Sequence, residues 1–369
     1  MGAAPYSLRS MAAGAAVPVV GAAVALAVSA RLFRPYGALI SSLWQGSAAR
    51  WPPSPARAVV LTGCDRGLGF SLATHCHSLG LTVFAGVLDA ASPGARRLVD
   101  LGVRVVPLDV TDGRSVQGAV QVVQQALKDD ARLSLSALVN NAGVLVFGEF
   151  GWQTPRQVSL QLDVNLAGTM RVTRAFLPLL RAGTSAGPGP GRGRVVVVTS
   201  HCALAALPAL SVYAATKAGL QAWADALRME QAQYGVPVVQ VVPGSFTHLS
   251  GILAAHAEHA REMEAAMTEE DRQFYGDYPR RFHEYLAVVS SLGREASERP
   301  CRLPDDKLHE MFEAALLSLR PAARYVHEPW RYTLYHSLMR LAPHRRPGLA
   351  SHQVCQSAIF QRKATVAWV

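Results

Sequence analysis

The chain has 369 residues, of which 50% are hydrophobic and only 17% charged, and its formal net charge is +10. That length suits one large α/β domain with extensions, and the apolar share permits a large core and suggests contact with lipid. Cys64, Cys76, Cys202, Cys301 and Cys355 contain no CxxC pair, which argues against a disulfide framework and a metal site and for a reducing compartment.

Nucleic acid is a conceivable partner for so basic a chain, but no reader motif accompanies the charge; anionic lipid and a cofactor phosphate are simpler partners. From Met11 to Ala30 no charged residue occurs, a run long enough to cross a bilayer as a helix, which needs about 20 residues. Arg9 precedes it, and Arg31, Arg34, Arg50 and Arg57 follow. The run reads as a membrane anchor within residues 1–50, and the positive-inside rule places the rest of the chain in the cytosol; the expected membrane is that of the endoplasmic reticulum. A cleaved mitochondrial presequence is the alternative, and a soluble helix is a third. The prolines of residues 51–57, WPPSPAR, read as a linker.

Short apolar runs then alternate with helical stretches. Ala58–Leu61, Leu81–Val87, Val103–Leu108, Ala137–Val139, Val195–Val198 and Val238–Val242 read as buried strands. This pattern predicts a doubly wound parallel sheet, a Rossmann fold, over residues 58–305. The Gly183–Gly193 stretch reads as a surface loop. His256–Arg280 is charged and helical, and residues 306–369 read as a helical C-terminal extension. Within it, Trp330–Leu341 is a basic aromatic stretch that either packs on the domain or lies on a membrane.

The first strand runs into TGCDRGLG. Gly63, Gly67 and Gly69, with Arg66 and Leu68 between them, stand after a strand and before a helix, as a dinucleotide loop requires. Asp89 ends the second strand about 20 residues later, where an acid binds the adenosine ribose and repels a 2′-phosphate; this favours NAD. Arg66 argues the other way, so NADP stays open. Asp109 is either part of a helix start or a partner of the adenine amino group. Asn141 and Gly143 of NNAG end the fourth strand, where Asn141 can tie strands beside the adenosine. Pro243 and Gly244 follow the sixth and would shape the nicotinamide pocket.

Tyr213 and Lys217, four apart on one helix face, carry the chemistry. An ammonium there lowers the phenol pKa and makes a general base for an alcohol. Ser200, thirteen residues upstream, can orient the substrate oxygen. Asn165 either holds a water or is a solvated helix position. Ser200-His201 is no hydrolase pair, since no GxSxG surrounds it.

These five motifs, in this order from Ala58 to Phe246, resemble the short-chain dehydrogenase/reductase family. The resemblance implies Asn165, Ser200, Tyr213 and Lys217 as a catalytic tetrad, cofactor contacts at Tyr213 and Lys217, and a possible homo-oligomer. TGCDRGLGFSLA, TVFAGVLD and FLPLLR are similar to the branch of 3-hydroxybutyrate dehydrogenase, type 2 hydroxysteroid dehydrogenases and retinol dehydrogenases. The expected activity is NAD-dependent oxidation of a hydrophobic secondary alcohol, a steroid or retinoid. Mitochondrial 3-hydroxybutyrate oxidation is the alternative, and a non-catalytic nucleotide-binding module is a reading from another class. Thr247 stands one place earlier than the family's threonine, with His248 in its place.

Overall fold

The computed structural model describes residues 49–182, 193–244, 246 and 250–327. The apolar run Met11–Ala30, the Gly183–Gly193 loop up to residue 192, Thr247, His248 and the stretch Trp330–Leu341 lie outside them. Among the described residues no helix is long and apolar enough to cross a membrane.

Seven strands form one sheet: β1 (Arg57–Leu61), β2 (Thr82–Val87), β3 (Arg104–Pro107), β4 (Ser134–Asn140), β5 (Val195–Val198), β6 (Val238–Val242) and β7 (Arg324–Val326). Their order is β3-β2-β1-β4-β5-β6-β7 and every pairing is parallel, which is the doubly wound Rossmann-like arrangement expected. The strand order reverses between β1 and β4, the switch point at which such sheets bind ligands.

The period of two along each strand divides the core in two. Val59, Leu61, Val196, Val198, Val239 and Val241 face one layer; Ala58, Val60, Val195, Val197 and Val238 face the other. The first layer packs on α1 (Gly67–Ser78), α2 (Pro93–Asp100) and α10 (Asp306–Leu317). The second packs on α3 (Gly113–Asp129), α5 (Thr169–Ala182) and α6 (Ser211–Ala232). Beyond β6, α7 (His256–Ala266), α8 (Glu269–Tyr275) and α9 (Tyr278–Glu298) form an outlying group. There Trp152, Met263, Phe282 and Leu286 make a separate aromatic cluster.

Two expectations need correction. The C-terminal extension is not only helical, since Arg324–Val326 adds the seventh strand; three residues are too few to display a period of two. Nor does it stand apart from the domain. Phe312 and Ala315 of α10 are fully buried, and His309 Nε2 lies 2.9 Å from Ser71 Oγ of α1. The proline-rich linker is likewise docked. Trp51 N donates to Leu317 O at 2.8 Å, and Leu319 N donates to Ala49 O at 3.0 Å. The guanidinium carbons of Arg57 and Arg194 lie 4.8 and 4.9 Å from the Trp51 ring centroid. Arg194, 1% exposed, also donates to Ala315 O and Ser318 O at the end of α10, where a cation suits the helix dipole. Burial pushes its pKa down to about 10.

His256 is 2% exposed, its Nε2 3.3 Å from His283 Nδ1. Burial, then the charges of His283 and His259, push its pKa down to about 4. The unfolded residue titrates near 6.5. The resulting stability is therefore fully present above that pH and is lost as pH falls towards 4. In urea melts between pH 7.5 and 4.5, the wild-type chain should lose roughly 1–3 kcal/mol more than His256→Gln. Identical pH profiles for the two proteins would assign the acid sensitivity elsewhere.

Candidate active site

The loops after β1, β4, β5 and β6 converge at the carboxyl edge of the sheet. The β1 loop turns at Gly67, whose φ of +57° is a left-handed conformation that suits glycine. A Cβ there would stand 2.2 Å from Ser250 O, so Gly67 also admits the main chain that follows β6. At Gly69 a Cβ would meet Gly63 O at 2.0 Å and Asn141 Nδ2 at 2.5 Å; here the requirement is close helix–strand packing. Arg66 caps α1 by position only and makes no side-chain cap bond, so the helix start can receive an anion.

Thr62 and Asp65, which sequence reasoning passed over, organise this edge. Thr62 Oγ1 accepts from Asn141 N at 3.0 Å and Ala142 N at 2.9 Å. Asn141 Nδ2 donates back to Thr62 O and Gly63 O at 2.9 and 3.1 Å, so Asn141 does tie β1 to β4. The Asp65 carboxylate accepts from both Leu88 N and Asp89 N at 3.0 Å. Asp89 is exposed and accepts from Ala91 N at 2.8 Å. Two carboxylates thus stand at the end of β2, with Arg66 exposed nearby in sequence. Asp109 accepts from Thr111 N and Thr111 Oγ1 in a turn, while Asp112 caps α3. Both substituents of TGCDRG are visible in the sequence, but only the fold shows which backbone donors they meet.

Asn165 lies in a π-helical segment, Leu162–Gly168, between α4 (Pro155–Gln161) and α5. Its side chain is fully buried and already committed. Oδ1 accepts from Val144 N at 2.8 Å, and Nδ2 donates to Val144 O at 2.9 Å and Thr216 Oγ1 at 3.1 Å. The solvated-helix reading of Asn165 is therefore wrong. The Asn165 carbonyl, in the π turn, accepts from Thr169 Oγ1 at 2.9 Å.

Ser200, two residues past β5, is extended and accepts from Cys202 N at 3.2 Å, capping the 3₁₀ turn His201–Ala203. Burial raises the phenol of Tyr213 above its usual range, and the Ser200 side chain offsets part of that rise. Tyr213 and Lys217 share the buried face of α6. Lys217 Nζ donates to Val198 O at 3.1 Å and lies 5.8 Å from the Tyr213 ring centroid. Thr216 Oγ1, between them, donates to Tyr213 O at 2.7 Å and joins this helix to Asn165. A Cβ on Gly143 would be 3.3 Å from Asn165 Oδ1 and 3.5 Å from Lys217 Nζ, so the NNAG turn borders the same space. Pro243 and Gly244 follow the end of β6, with Gly244 against the His327 ring.

The electrostatics correct one expectation. Lys217 does not bring Tyr213 towards neutrality here. Burial dominates and raises the phenol above its usual range, with Cys202 adding to the rise. Burial also pushes the Lys217 ammonium down to about 8. A low-dielectric enclosure disfavours both charged forms. Leu145, Leu210 and Leu253 are buried with Tyr213, and Phe147, Cys202, Leu207 and Ile252 pack around them.

The short chain dehydrogenase family matches this sequence over residues 57–258, more than half of the chain. The protein is a short-chain dehydrogenase. As such it is an oxidoreductase acting on CH–OH groups with a nicotinamide dinucleotide cofactor, and the glycine cradle and uncapped helix start fit that group. Relatives include the mitochondrial D-beta-hydroxybutyrate dehydrogenase of Rattus norvegicus, 36% identical over 73% of this chain and 76% of that one. Estradiol 17-beta-dehydrogenase 2 of Mus musculus is 37% identical over 65% of this chain and 61% of its own. Retinol dehydrogenase 7 of Rattus norvegicus is 31% identical over 72% and 79%. A short-chain dehydrogenase structure from Streptomyces avermitilis superposes with a TM-score of 0.52, covering 82% of this chain and 98% of that one; at 22% identity it supports the fold alone.

Tyr213→Phe keeps the buried ring and removes only its hydroxyl. It should lower turnover roughly 10²–10⁴-fold, the usual worth of a positioned acid–base group, and leave cofactor affinity within a few-fold. Near-normal turnover in this variant would remove Tyr213 from the chemistry.

Proposed function

We propose that this dehydrogenase oxidises a hydrophobic alcohol, the secondary hydroxyl of a steroid or the hydroxyl of a related retinoid, to the carbonyl with NAD. The observation that carries the reading is the apolar wall beside Tyr213: Leu145, Leu207, Leu210, Ile252 and Leu253. Aliphatic surface beside the reacting hydroxyl suits an extended hydrocarbon skeleton. Enclosing a short carboxylate there would cost several kcal/mol unless a cation met it. The named steroid and retinol relatives lend support to the same reading.

In this mechanism Ser200 orients the alcohol oxygen and Tyr213 takes its proton. Lys217 and Tyr213 hold the nicotinamide ribose, and the Asn165 carbonyl carries a water on the proton's way out. The oxidised nicotinamide, when bound, supplies the hydride acceptor, and its positive charge favours the phenolate that burial disfavours. Gly63, Gly67, Leu68 and Gly69 would hold the pyrophosphate, Gly143 and Pro243-Gly244 would contact the nicotinamide, and Asp109 would serve the adenine.

Asp89 and Asp65 at the end of β2 support NAD over NADP, because a 2′-phosphate would meet two carboxylates. Asp89→Ser should therefore move the NAD/NADP ratio of kcat/KM towards NADP by about ten-fold or more, with Arg66 then able to pair with the phosphate. A wild-type preference for NADP would reverse the assignment.

The competing reading, 3-hydroxybutyrate oxidation, is favoured by the 36% identity over 73% of the chain. Cofactor reduction by purified protein with oestradiol, a corticosteroid, retinol and 3-hydroxybutyrate separates the two. The steroid or retinoid should give a kcat/KM at least roughly ten-fold above that of 3-hydroxybutyrate, a difference of about 1.4 kcal/mol in transition-state stabilisation. The opposite ranking would replace the proposal by the short acid.

A further inference from the structure

His327 stands where three parts of the site meet, and the chemistry above does not use it. Its main-chain N–H donates to Val242 O at 2.9 Å, continuing the β6–β7 pairing up to Pro243. Its carbonyl lies 2.9 Å from Nε2 of His201, the residue after Ser200. Its ring stands against the next turn: a Cβ on Gly244 would come within 2.9 Å of Nδ1, and the Phe246 ring centroid is 5.8 Å away. Nε2, on the other side of the ring, is 3.1 Å from the Asp305 carboxylate. Asp305 also accepts from Leu308 N at 2.8 Å and so caps α10.

The strand ladder aligns β5 with β6 only as far as Val198 and Val241. Beyond it, Ser200 and Pro243-Gly244 lie on separate turns. His327 spans that gap, with its carbonyl on the Ser200 side and its ring on the Gly244 side. A carboxylate on Nε2 selects the tautomer with the proton there and holds the plane of the ring. Stability alone gives little reason for the pair. At side-chain exposures of 15% and 24% it is partly solvated, and such pairs contribute modestly to folding.

We propose that His327, held by Asp305, is a positioning residue for hydride transfer, setting the Ser200 turn against the Pro243–Gly244 turn. This rests on the reading of those two turns as the substrate-oxygen and nicotinamide contacts. A displacement of about 1 Å between such groups can cost roughly 10²-fold in rate.

The test uses the full chain with His327→Leu, which keeps volume and loses both ring nitrogens, and His327→Gln, which can still donate to Asp305. A third variant, His201→Leu, breaks the contact with the His327 carbonyl on the Ser200 side. The readouts are NAD affinity by calorimetry, kcat and KM on the most active alcohol of the panel, and melting temperature. His327→Leu should weaken NAD binding roughly ten-fold and lower kcat roughly 10–100-fold, with glutamine restoring most of both. His201→Leu should lower kcat while leaving NAD affinity near wild type. Wild-type NAD affinity and kcat in His327→Leu would overturn the proposal. So would a fall in melting temperature with unchanged kinetics of the folded fraction. Should His327→Leu fail to fold, His201→Leu decides, and unchanged kcat there overturns it. If no alcohol of the panel is oxidised, the substrate reading fails, and the NAD titration of His327→Leu and His327→Gln still decides the role of His327.

Discussion

The site is built around a cation held out of water. Lys217 is 4% exposed and donates to a strand carbonyl, Val198 O. An ammonium in that position is costly to solvate poorly, and its pKa near 8 records the cost. What justifies it is the company it keeps. The same helix face carries Tyr213 and Thr216, and the bond to Val198 draws α6 against the end of β5, two residues before Ser200. The serine, the phenol and the ammonium are thus brought to one point by one buried contact, with Asn165 joined through Thr216.

The raised Tyr213 pKa follows from the same enclosure. Leu210 and Leu253 pack with Tyr213, and removal of water from the phenol disfavours the phenolate. A buried acid–base pair of this kind has its protonation state set by what charge is admitted beside it, not by bulk pH alone. The apolar cluster that would meet hydrocarbon under the proposed function is thus the same one that keeps the proton on Tyr213.

Much of this was legible in the sequence because local chemistry and long-range position coincide. The valine runs 195–198 and 238–242 can only be doubly covered strands, and TGCDRGLG between a strand and a helix has few other uses. What stayed illegible depends on contacts between distant residues. Nothing near Asp65 in the sequence indicates that its carboxylate takes the N–H groups of Leu88 and Asp89. The π turn at Leu162–Gly168 follows from no composition rule, so a plain helix was the natural expectation for Asn165. The seventh strand, RYV, is too short for any periodicity, and His327 gains its meaning only from being beside it. Even the spacing of Tyr213 and Lys217 misleads about pKa, because it encodes proximity and not depth of burial.

The clasp between the start and end of the domain has a consequence for folding. Arg50 pairs with Glu313 across a sequence separation of 263, and Ala49 and Trp51 share backbone hydrogen bonds with Leu317 and Leu319. Closing so long a loop is entropically costly until the sheet has already brought its ends together. During synthesis the docking site for Trp51 does not exist until Leu319 has left the ribosome. The first residues of the domain to be made are thus among the last to find their place, and the clasp belongs with the parts that open before the sheet does.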